Sequence, residues 1–247
     1  MILKHVSERL RAQDWTAVVI ELAVVVAGIL LALQVDQWAS DRAEREREEL
    51  YLWRLAGDLE AEQQSVRDAK LFARNRLEAV ALLEDMADGA IGDVDPRRVP
   101  WAVETASWRS FPKTTAYVVS ELRTSGQLGI IRSVELRQGL ADHYAQIEHF
   151  GRVADDLSAQ LRYDAAVAGL LNARELAALE DTGGDFDGLS IDQARADEIV
   201  GGFALIDSAH RELPGMAQHH LFNLRVMAEM DERIDALLAL IKDEIDR

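Results

Sequence analysis

The chain has 247 residues, a formal net charge of −17 at pH 7 and no cysteine. That length accommodates one membrane span and one or two soluble domains with a sizeable core, while the missing cysteine excludes a disulfide framework, a thiolate zinc site and a cysteine nucleophile. Residues 36–247 alone carry −17, which excludes the basic footprint of a nucleic-acid binder and reads as solubility of a domain that anionic headgroups repel.

Residues 1–14 hold Lys4, Arg9 and Arg11 against Glu8 and Asp14, with Ile2, Val6 and Leu10 at i, i+4 and i+8. This pattern predicts a short amphipathic segment on an anionic cytoplasmic leaflet. From Thr16 to Val35 the chain reads TAVVIELAVVVAGILLALQV, with Glu21 as its only ionisable group. Such a run makes a helix about 30 Å long, the thickness of a bilayer's hydrocarbon core. Trp15 and Trp38 bracket it, as indoles do at the two headgroup interfaces, so residues 15–38 are expected to form a transmembrane helix. The run is too long for a cleaved signal peptide and no small-x-small site follows, which predicts an uncleaved anchor. Basic residues balance across it, three before and Arg42, Arg45 and Arg47 after. Moving the basic tail across the membrane is unfavourable, whereas a long C-terminal domain crosses largely regardless of charge. The expectation is therefore an N-terminus inside and residues 36–247 outside the cytoplasm of a bacterial inner membrane.

Glu21 lies about 8 Å from the midplane of that span, where an acid costs on the order of 2–3 kcal/mol. At 100° per residue, Gly28 and Ala32 fall about 20° to either side of it and Ala17 about 40° away. Small residues in line with a polar one mark the surface on which membrane helices approach closely. Glu21, Gly28, Ala32 and Ala17 are the candidate interface, with Gln34 as a further polar member of the span. The expected partners are the lipid bilayer and further copies of the chain, with another membrane protein as a second possibility, and no nucleic acid.

Beyond the span the chain reads as all-α: one transmembrane helix continuing into a long helix, followed by an antiparallel helical bundle. No breaker stronger than Gly57 interrupts the pattern up to about Ala87, and DRAEREREEL offers Asp41–Arg45, Arg42–Glu46 and Arg45–Glu49 as i,i+4 pairs. Residues 39–88 are thus a stalk helix that packs with a bundle of residues 89–247. Asp88–Pro96 is the first break, with Asp95 and Pro96 as the start of a short helix. A helix is expected from about Thr114 to Thr124. Ser133 would cap a long one carrying Leu136, Leu140, Tyr144, Ile147, Leu157 and Leu161. Asn172 with Glu175 and Ser190 with Gln193 resemble capping boxes on either side of a loop at Asp181–Ser190. The last helix follows Pro214 with Leu224, Ala228, Ile234, Leu237, Leu238, Ile241 and Ile245 on one stripe.

Tests for chemistry are negative. Placing Gly188 at the sixth position of a calcium loop puts Gly183 and Ala194 where acidic ligands are required. The six histidines include no i,i+4 pair and no HExxH, so they read as surface or cap residues. Nucleophile elbow, phosphate loop and kinase signature are missing, and no cofactor is expected. Trp101, Trp108, Phe111 and Tyr117 gather around two prolines, either as a buried joint between helices or as a ligand pocket.

The stretch ELAVVVAGILLALQVDQW, through Glu21, Val25, Gly28, Ile29, Leu30, Ala32, Leu33, Gln34 and Trp38, resembles the N-terminal signature of a bacterial family, domain of unknown function 6090. Where many members read Asn-Asn-Trp-Asn-Glu, this chain has Asp36-Gln37-Trp38-Ala39-Ser40. A looser similarity covers Glu121–Leu128 with Ile131, Leu136, Arg137 and Tyr144. The resemblance implies a single-pass membrane protein with a helical domain and implies no activity. The expected function is a non-enzymatic membrane protein that self-associates through its span and displays an acidic helical domain. Alternatives are a proton- or ion-handling subunit using Glu21 and a membrane-anchored sensor binding a ligand near Trp101 and Trp108.

Overall fold

The computed structural model describes residues 15–246 apart from 90, 91, 110, 154–156 and 182–184, with the side chains of 15–18, 152 and 153 also left aside. The expected N-terminal segment of residues 1–14 lies outside the described residues. All regular structure among the described residues is helical. Helix α1 (Trp15–Ala87) runs 73 residues without a break, and two compact units divide the chain at Tyr51 and Leu52.

Among the described residues of the first unit, α1 has no core to face. Every large apolar residue from Val19 to Val35 is 46–66 % exposed, and this part of the helix is long and apolar enough to cross a membrane. At roughly 1.5–3 kcal/mol for each such side chain left in water, the run is far from equilibrium with an aqueous surround.

The second unit is built on heptads. In α1 the buried positions include Leu52, Leu55, Leu59, Glu62, Val66, Ala69, Ala73, Arg76, Val80 and Leu83, which follow one another in alternating three- and four-residue steps. Helix α9 (Leu213–Ile245) buries Leu213, Met216, His220, Asn223, Met227, Met230, Ile234, Leu237 and Ile241 on the same rule. Such seams are what two long helices need to pack along their lengths. Gln63 bonds Asp235 at 2.6 Å and Lys70 bonds Asp231 at 2.9 Å, so α1 rises as α9 descends and the pair is antiparallel.

Shorter helices complete the bundle: α2 (Arg98–Thr105), α3 (Tyr117–Thr124), α4 (Val134–Val153), α5 (Ser158–Val167), α6 (Ala173–Asp181), α7 (Gln193–Ala204) and α8 (Asp207–His210). Helix α4 lies on α9 closely enough that a Cβ at Gly139 would meet Leu237 Cδ2 at 2.9 Å. Helices α2, α5, α6 and α7 close the end of the bundle around Leu83, Met86, Trp101, Tyr163, Leu179, Ile199 and Phe203. Tyr163 is fully buried there and donates its hydroxyl to the carbonyl of Val103 at 2.8 Å.

Several local expectations change. The helix read through Leu161 is two, α4 ending at Val153 and α5 beginning at Ser158. Asp95 accepts from the Arg97 amide at 2.9 Å and caps a turn, and the helix itself starts at Arg98. Asp192, which accepts from the Arg195 amide, caps α7 in place of Ser190. The Asn172 box forms in full: Asn172 Oδ1 accepts from the amides of Arg174 and Glu175, and Glu175 Oε2 accepts from that of Asn172.

Candidate functional site

The expected interface residues sit on the exposed part of α1. Glu21, Gly28 and Ala32 are exposed, and an unbroken helix keeps them on one face because seven and eleven residues both approach whole turns. A Cβ placed at Gly28 would meet nothing within 4 Å, so the face is open at that residue. Gln34, thirteen residues from Glu21, lies about 140° round the helix on its far side. Trp15 and Ala17 are on the helix, but their side chains lie outside the described ones. Trp38 is 64 % exposed and has the Arg42 guanidinium 5.9 Å from its ring centre.

A second group of polar residues lies inside the second unit, where the surface reading of His143 and His220 is overturned. His143 on α4 is 2 % exposed and its Nε2 lies 3.0 Å from Oε1 of Glu62, itself fully buried. Burial of a carboxylate demands such an answer, since an ion taken from water costs several kcal/mol unless paired and hydrogen-bonded. Only one oxygen is answered, for Glu62 Oε2 has no hydrogen bond. Beside the pair, burial and the charges of Glu62 and Asp58 hold the Tyr144 hydroxyl far above the usual tyrosine range. His220 on α9 is 1 % exposed and donates Nε2–H to the carbonyl of Ala106 at 2.8 Å. Burial lowers its pKa from 6.5, and the neighbouring charges of His219 and Arg76 lower it further.

A further polar intruder in the seams is Arg76, 3 % exposed. Its guanidinium carbon lies 5.4 Å from the ring centre of Phe72 and 5.3 Å from that of Trp108. Burial lowers its pKa to about 10, which leaves it charged at neutral pH. Its Nη1 is buried without a hydrogen bond.

The four aromatic residues do not form one cluster. Trp101 is 4 % exposed, within the core, with its ring edge on Phe186 at 5.8 Å. Phe111 and Tyr117 are exposed. Trp108 borders a cavity of about 190 Å³ with Glu104, Ser107, Asp164 and Leu171. Burial and the nearby Asp164 and Glu180 carboxylates push the Glu104 carboxyl above its ordinary value. Another depression of about 470 Å³ runs between α4 and α9, lined by Gln138, Asp142, His143, Gln146 and Arg233.

Glu62 and Arg76 were legible without coordinates. Counting alternate steps of three and four from Leu52 lands on both, and a charge at a seam position is the signal. No group of three or more His, Asp or Glu placed to hold a metal ion occurs among the described residues. No family model matches the chain, nor does any curated protein or solved structure.

Proposed function

We propose that the protein is a non-enzymatic, single-pass membrane protein whose span self-associates through the face of Glu21, Gly28 and Ala32 and displays its acidic helical domain outside the cytoplasm. The observation that carries this reading is the continuous exposure of Val19–Val35 in a chain whose other unit buries an extensive core. Lipid is the surround that removes the cost of those side chains, and a bare Gly28 in line with a polar side chain is the surface that membrane helices use to meet. Glu21 then faces another helix, where the alternative to a hydrogen bond is a polar group in hydrocarbon.

Gly28→Leu tests the reading. Nothing within 4 Å meets an added Cβ, and leucine is the better helix former by nearly 1 kcal/mol, so the isolated helix loses nothing. Wild-type protein in nanodiscs is expected to be an oligomer by mass photometry, and Gly28→Leu to shift it to monomer. A monomeric wild type, or an oligomer indifferent to Gly28→Leu, contradicts self-association through this face.

A further inference from the structure

The C-terminal ends of α2 and α5 meet at the cavity of about 190 Å³ beside Trp108. Val103 and Glu104 come from the last turn of α2, Asp164 and Val167 from that of α5, and Ser107 and Trp108 from the chain just beyond α2. Tyr163 pins the two helices together here by donating its hydroxyl to the Val103 carbonyl at 2.8 Å. A helix C-terminus carries the negative end of the macrodipole and favours a cation. Two of them at one cavity add to the charge of its carboxylates.

That charge has no counter-ion. Glu104 accepts from the Trp108 indole at 3.4 Å, and neither it nor Asp164 pairs with a cation among the described residues. Arg76 lies against the Trp108 ring and lines no part of the cavity. Burial, then the carboxylates of Asp164 and Glu180, push the Glu104 carboxyl above its ordinary value. Ser107 also lines the cavity; it is 8 % exposed, and its hydroxyl makes no hydrogen bond among the described residues. The other walls include the apolar side chains of Val103, Val167 and Leu171. Asp164 and Gly169, which border the same space, are exposed, so it opens to solvent on their side.

We propose that this cavity binds a primary alkylammonium ion, its nitrogen held by Glu104, Asp164 and the Ser107 hydroxyl and its chain lying against Val103, Val167 and Leu171. A primary ammonium brings three N–H donors, which two carboxylates and a hydroxyl can accept, and such charge-assisted bonds are the strong ones. A cavity of about 150 Å³ holds benzene, so this one takes an amine with a chain of a few carbons. The net charge of −17 draws cations toward the domain. This site is independent of the face around Glu21 and survives in a monomer.

The full chain in nanodiscs of neutral lipid is titrated with n-butylammonium. Tetramethylammonium, sodium and n-butanol serve as controls, the ions at matched ionic strength. Tryptophan fluorescence reads binding, and Trp108→Phe identifies the part of the signal that comes from the cavity wall. A saturable change with butylammonium alone is expected. Asp164→Asn, at an exposed position, and Glu104→Gln are each expected to weaken binding about tenfold, the loss of one charge-assisted bond. Should Trp108→Phe not fold, thermal midpoints of wild type and Asp164→Asn read the same binding, because a ligand of the folded state raises the midpoint. An equal response to tetramethylammonium would show attraction of charge without the donors, and an equal response to butanol only an apolar hollow. Either result overturns the proposal, as does a missing response to butylammonium or one unchanged in both carboxylate variants.

Discussion

His220 ties a buried side chain to pH. Its imidazole is fully enclosed and donates to Ala106, and the folded-state pKa lies below the ordinary 6.5. Above pH 6.5 it is neutral folded or unfolded, and its contribution to stability is complete. As pH falls below 6.5 the unfolded chain takes up a proton that the folded one refuses, so stability declines until the lowered folded pKa is passed. The slope is at most about 1.4 kcal/mol per pH unit for this one group. Urea midpoints of wild type and His220→Gln between pH 7.5 and 5.5 are expected to diverge, the variant losing less. Parallel pH profiles would show that His220 does not titrate in this way. A reading of histidines by motif misses this residue, because the motif search asks only about pairs. The step count along α9 from Leu213 through Met216 finds it.

At the scale of elements, the N-termini of two short helices, α6 and α7, show what sequence resolves. Asn172 and Glu175 are separated as a capping box requires, and the reciprocal bonds form. Glu175 has a further duty: Arg195 holds its carboxylate through two bonds of 2.8 and 3.0 Å and reaches the Leu170 carbonyl at 2.8 Å, which lowers its pKa. Asn172→Ala removes the box alone, and its expected cost is about 1 kcal/mol of unfolding free energy in a urea titration. A loss below a few tenths would mean the helix end is held by Arg195 without it. Ser190 has the same spacing to Gln193 and yet does not cap, because Asp192 stands nearer the first turn with a carboxylate to offer. The division between α4 and α5 is of another kind. Apolar spacing continues across it from Ile147 to Leu157, so the pattern of side chains carries no mark of the break. The fold class, by contrast, needed only the long periodic segments and the positions of Pro96 and Pro214. The span face was equally legible in its helical phase. The seam positions of Glu62 and Arg76 follow from the step count, while the pairing of Glu62 with His143 required knowing which helix faces which.

For the whole molecule, only one of the two units buries its described apolar surface within the chain. Residues from Leu52 onward do so against each other along seams of Leu, Met, Ile and Val. Residues 19–35 do not, and their mean hydropathy in the most apolar window is 2.2 with no part of it buried. The proposed membrane anchoring fits both, with acidic residues carried where water solvates them. Its most direct test uses the missing cysteine: single cysteines introduced at Ser7 and at Ser190, an exposed loop position, are challenged in intact cells with a membrane-impermeant maleimide. Labelling of Ser190→Cys, with Ser7→Cys protected until the membrane is permeabilised, is the expected result. Labelling of Ser7→Cys with Ser190→Cys protected, or release of the chain from membranes by alkaline carbonate, would contradict it.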